Sequence, residues 1–156
     1  MRPFLLLAVL ACAARPLAAQ APTAKPAPVR AEVQQLVRKY TDATNASDVT
    51  AAMEMFSRAD GVTSVDGGEI TRGWDAIRAQ ATELAGLGGS YTMTLGTIEV
   101  TPLGGGSALA VVPFTVTVAA PSGPAQLRGA MTLVLEKAGG AWKIVHEHYS
   151  LGAGER

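Results

Sequence analysis

The 156-residue sequence predicts an α+β fold, helices gathered in its first half and strands in its second. Three observations carry that expectation. Apolar residues recur at helical spacing in three segments between Val29 and Ala85. From Tyr91 onward they alternate at strand spacing in long runs. Short Gly- and Pro-rich turns separate those runs, as in hairpins of an antiparallel sheet rather than crossovers of a parallel one.

The first element precedes the fold. Arg2, the apolar run Leu5 to Ala14 and Leu17-Ala18-Ala19 read as a secretory signal peptide over residues 1–19. The apolar run is too short for a membrane-spanning helix, which takes about 20 residues. Export to the periplasm or the extracellular space is therefore expected. Val9-Leu10-Ala11-Cys12 loosely resembles a bacterial lipobox, which would anchor the chain by lipid at Cys12. Against it stand a very short leader and Leu10 where a small residue is usual. Without Cys12 the mature chain has no thiol and no disulfide. Residues 20–28 hold three prolines and no large apolar side chain, which suits an extended linker. A single domain is expected over 29–152, with a short tail at 153–156.

Val29, Val33, Leu36, Val37 and Tyr40 form the apolar stripe of a first helix ending near Asn45. Ala46-Ser47-Asp48 breaks it and supplies a cap for a second helix presenting Val49, Ala52, Met53 and Phe56. Gly61 to Asp66 reads as a short strand closed by an Asp-Gly-Gly turn. A third helix starts near Gly73, striped with Trp74, Ile77, Ala81, Leu84 and Ala85, and stops at Gly86-Leu87-Gly88-Gly89. Tyr91 to Val100 is a strand whose register shifts at Gly96. Ala108 to Ala120 is a β-branched run, and Pro113 within it argues for an edge or a bulge. Leu127 to Lys137 alternates cleanly, and Trp142 to Ser150 closes the sheet.

Charge excludes one class of partner. Thirteen bases balance thirteen acids, and loss of Arg2 and Arg15 with the leader leaves eleven against thirteen, a net charge of −2. No basic face for nucleic acid is expected.

The order of three helices and then long strands resembles the nuclear transport factor 2-like superfamily, in which a strongly bent antiparallel sheet curls into a cone around a pocket. Gly73-Trp74-Asp75-Ala76-Ile77 resembles the start of the third helix in SnoaL-like members. Trp142 and His146-Glu147-His148-Tyr149-Ser150 resemble their last strand and that of the calmodulin-dependent kinase association domain. The resemblance covers residues 30–151 and implies a cone-shaped α+β barrel, a small-molecule ligand and a homodimer. Activity does not follow from it, because the superfamily holds isomerases, cyclases, hydratases and assembly domains.

His146 and His148, the only histidines, share one face of the last strand, with Glu147 and Tyr149 on the other. A His-x-His pair can ligate zinc, but a third ligand would have to be a carboxylate. Packing on the outer face is the competing reading, and no metal or cofactor is expected. In the families it resembles, the pocket side of this strand corresponds to Glu147 and Tyr149. Leu36 to Tyr40 resembles the ketosteroid isomerase helix that carries an oxyanion-hole tyrosine, and Val65-Asp66-Gly67 the strand end that carries its general base. The resemblance thus implies Asp66 as base and Tyr40 as oxyanion donor. The isomerase's second acid is missing, because Gln126-Leu127-Arg128-Gly129 stands in its place. Arg128, if it faces the pocket, would favour an anionic ligand. Plainer roles remain open: Asp66 as turn former, Tyr40, Trp74 and Trp142 as core, Arg128 as a solvated surface charge. Phe56 and Trp74 complete the expected pocket. The expectation is a domain that binds a small, partly apolar ligand, with a small isomerase or cyclase as the alternative.

Overall fold

A computed structural model describes residues 26–86, 91–119 and 123–152. The expected leader, Cys12, the linker up to Lys25 and the tail 153–156 lie outside the described residues. Three helices, α1 Pro26–Asn45, α2 Val49–Glu54 and α3 Trp74–Gly86, pack on one face of a seven-stranded sheet. Its strands are β1 Thr63–Asp66, β2 Glu69–Arg72, β3 Tyr91–Leu95, β4 Glu99–Gly104, β5 Ser107–Val118, β6 Ala125–Ala138 and β7 Ala141–Leu151.

The helix α1 begins at Pro26, inside the segment expected to be linker. Its prolines 26 and 28 fall in the first turn, where the amide has no intrahelical partner to lose. Val29, Val33, Val37 and Tyr40 are buried along one stripe. Asp48 caps α2, its side chain accepting from the Ala51 amide at 2.9 Å.

The sheet runs β2-β1-β7-β6-β5-β3, with β4 pairing on β5 beside β3. It is mixed rather than wholly antiparallel, because β1 pairs parallel with β7. It is also open, with β2 at one edge and β3 and β4 at the other. The strand β2 had no counterpart in the periodicity: its four residues hold one apolar side chain, Ile70, and it is half exposed. A tight turn with both central glycines at positive φ (Gly67 56°, Gly68 87°) folds it back on β1.

Pro113 sits in β5, a strand paired on both sides, and not at an edge. The break between β3 and β4 accommodates it. The Pro113 carbonyl accepts from the Gly96 amide at 2.7 Å, so the missing Pro113 donor faces the same break. A Cβ on Gly96 would lie 2.9 Å from the Pro113 ring, which is why glycine stands there. On the same edge α1 satisfies exposed strand groups. Arg30 and Gln34 donate to the carbonyls of Val100 and Ile98, and Asn45 exchanges two hydrogen bonds with Met93.

The concave side divides into two ends. At one, Ala108, Ala110 and Val112 of β5, Leu133 and Leu135 of β6, and Ile144 of β7 are fully buried in the core, where α1 meets β5 and β7. At the other, Val116, Val118 and Leu151 are only partly covered, and the helices stand off the sheet. That second end is a cavity.

Candidate functional site

The cavity has a volume of about 460 Å³, in the range of small-molecule sites. Its walls are mostly apolar: Val49, Ala52 and Phe56 from the region of α2, Ile77, Ala81, Leu84 and Ala85 from α3, and Met93, Phe114, Val116, Val118 and Leu151 from the sheet. All three tyrosines of the chain, Tyr40, Tyr91 and Tyr149, also line it.

Glu147 reaches this wall because of a bulge. Leu135 pairs with Ile144 but Val134 pairs with His146, leaving Val145 as an extra residue. Trp142 and Ile144 are buried before it. Strict alternation from them would turn His146 and His148 inward. The bulge reverses the parity, so Glu147 is buried and Tyr149 lines the cavity. The parallel register then sets Ser64 beside Glu147 and Asp66 beside Tyr149.

These side chains form one hydrogen-bonded chain. The Tyr149 hydroxyl donates to the Tyr40 hydroxyl at 3.1 Å, Tyr40 donates to Glu147 Oε2 at 2.7 Å, and Ser64 Oγ donates to Oε1 at 2.7 Å. Glu147 is 4 % exposed and no cation pairs with it among the described residues. Burial pushes its carboxyl above the ordinary carboxylate range, against the pull of hydrogen bonds from Tyr40 and Ser64, and the charge of Asp66 adds to the rise. Tyr40 is pushed well up by burial and then by the charge of Glu147; burial does the same to Tyr149. Both phenols therefore stay protonated donors at neutral pH.

Of the residues singled out in the sequence, Tyr40, Phe56, Asp66, Glu147 and Tyr149 line the cavity together. Phe56 packs edge-on against Tyr40 with centroids 5.6 Å apart, and Phe114 against Tyr149 at 6.0 Å. Asp66 is exposed at the rim. Two residues depart from the expectation. Arg128 does not line the cavity and is exposed, because it alternates out of phase with buried Met131 and Leu133. Trp74 braces α3 on α2, its indole donating to the Met53 carbonyl at 3.1 Å, and lines a separate hollow with Arg58 and Arg78. His146 and His148 lie on the outer face, His146 Nδ1 being 2.7 Å from the Thr63 hydroxyl. Among the described residues no cluster of His, Cys, Asp and Glu could hold a metal ion. Ser64 was missed in the sequence; its signal is position, two residues before Asp66 on the same strand face.

The SnoaL-like domain family model matches residues 33–154, most of the chain. The chain belongs to the SnoaL-like domain family. Among solved structures, an uncharacterised Caulobacter vibrioides protein with a cystatin-like fold is similar at 26 % identity and TM-score 0.68, over 79 % of this chain and 89 % of that one. A nuclear transport factor 2-like superfamily protein from Salmonella enterica is similar at 20 % identity and TM-score 0.74, over 85 % and 96 %. A Pectobacterium atrosepticum protein of unknown function is similar at 25 % identity and TM-score 0.67, over 81 % and 93 %. No curated protein matches the sequence. The SnoaL-like chain thus has the α+β cone fold of nuclear transport factor 2-like proteins. Among its described residues no helix is long and apolar enough to cross a membrane.

Proposed function

We propose that this SnoaL-like domain is an exported, homodimeric binding module that takes a small, largely apolar ligand into the cone cavity. The observation that carries the reading is the cavity itself, apolar on most of its wall, with its buried polar groups gathered in the Tyr149–Tyr40–Glu147–Ser64 chain. Apolar walls supply affinity and a few fixed polar atoms supply orientation. Ala81 lines the cavity from α3, so Ala81→Trp would fill it. Titration with a hydrophobic fluorescent probe should show saturable binding to the native chain and none to the filled variant. Equal binding to both proteins would sink the reading. Sedimentation of the exported protein tests the dimer, and its intact mass tests cleavage after Ala19 and the state of Cys12.

The catalytic alternative keeps Asp66 as base and Tyr40 as oxyanion donor, favoured by their shared place on the cavity wall. It is the weaker reading, because the Tyr40 proton is already given to Glu147. Turnover of an enolisable ketone that Asp66→Asn abolishes would establish it.

A further inference from the structure

We infer that the cavity is built for a cation: a small amphiphilic amine whose hydrocarbon body fills the apolar wall and whose ammonium head lies among aromatic faces and carboxylates. This rests on the cavity being a binding site and names the class of ligand it takes.

Charge is the first observation. Asp48, Asp66 and Glu147 line the cavity, whereas among the described residues no Lys, Arg or His does. The expectation that Arg128 would favour an anion is thereby reversed. A ligand carboxylate would meet Glu147 in the buried part of the cavity and Asp48 and Asp66 at its exposed edge, with no counter-charge lining the cavity among the described residues, which is unfavourable.

Aromatic content is the second observation. Tyr40, Phe56, Tyr91, Phe114 and Tyr149 all line the one cavity, in a chain with only eight aromatic residues. An alkylammonium head is attracted to such ring faces, most strongly where water is excluded. Hydrocarbon alone would be served equally by aliphatic side chains.

Unused acceptor capacity is the third. An ionised carboxylate has about four acceptor positions. Tyr40 and Ser64 occupy two on Glu147. The hydroxyls hold that buried carboxyl in place, and no cation pairs with it among the described residues. A bound cation supplies that pairing.

Three probes of one shape test this: phenylpropyltrimethylammonium, its neutral isostere with carbon in place of the quaternary nitrogen, and phenylbutyrate. Calorimetry or probe displacement should give the cation an affinity at least roughly 10-fold above the isostere. Phenylbutyrate should bind least. Asp66→Asn, at an exposed rim position that does not endanger the fold, should narrow the preference, as should raised salt. Equal or tighter binding of the isostere or of phenylbutyrate would overturn the charge inference and leave the binding-module reading standing. Failure of all three probes, or binding undiminished in Ala81→Trp, would overturn both.

Discussion

Removing one oxygen from Tyr40 tests the buried polar chain. Tyr40→Phe keeps the ring against Phe56 and opens no appreciable void. It deletes the donor to Glu147 Oε2 and the acceptor for the Tyr149 hydroxyl. A hydrogen bond to a charged group contributes about 1.5–3 kcal/mol, and one to a neutral group about 0.5–1.5 kcal/mol. The loss must therefore depend on the charge of Glu147. Burial holds the native Glu147 pKa above its unfolded value of 4.5, so this group's contribution is fully present below that value and is lost as pH rises through the native pKa. The Tyr40 bond opposes the rise, so the variant's native pKa climbs further and more stability is lost at high pH. Each unit of that climb adds about 1.4 kcal/mol to the pH-dependent difference. Urea unfolding of both proteins from pH 4 to pH 8 reads it directly. Other carboxylates are common to both proteins and cancel. The expected deficit is about 1 kcal/mol at the acid end, rising to about 2–3 kcal/mol at pH 8. A deficit independent of pH would refute the coupling of Tyr40 to an ionisable Glu147.

Three further outcomes are expected. A Cβ at Gly129 would lie 2.5 Å from both the Phe114 ring and the Ser150 carbonyl, so Gly129→Ala should cost about 2–3 kcal/mol of unfolding free energy through overpacking. Phe114→Leu in the same chain should recover part of that loss, since the ring is one of the two obstacles. Asn45→Ala removes both bonds to Met93 and should cost about 1–3 kcal/mol, with hydrogen exchange accelerated at the Met93 amide. Arg128→Ala, on the exposed side of β6, should change stability by no more than about 0.5 kcal/mol and leave probe affinity unchanged.

Much of the architecture was legible because local rules and tertiary packing agree. The stripe Val29, Val33, Val37 and Tyr40 has one apolar side, and that side is the buried one. Asp48 caps α2 with a bond made three residues away, so proximity in sequence suffices to read it. The alternation of β6 and the Gly139-Gly140 turn into β7 are equally local. What failed to show was short or non-local. The strand β2 is four residues held by a hairpin and by no periodicity. The parallel β1–β7 pairing joins segments some eighty positions apart, and nothing in either segment encodes the partner. Pro113 argues for an edge or a bulge, and the choice is not local, because the break that absorbs it, at Gly96, lies on another strand.

The site divides in the same way. Composition and spacing alone determined an α+β domain, a near-neutral chain, and a list of residues able to do chemistry, Tyr40, Asp66, Glu147 and Tyr149 among them. Which of them meet was a tertiary matter. The Val145 bulge puts Glu147 rather than the histidines on the concave face, and the β1–β7 register brings Ser64 to its other oxygen. Arg128 ends outside the cavity by the parity of β6, so the charged residues that line the cavity, among those described, are all acidic where the sequence had allowed either sign. The physical reason is common to all three. A strand's side chains have period two, so one inserted residue or one step of register reverses what faces the ligand, and only the assembled sheet sets that step.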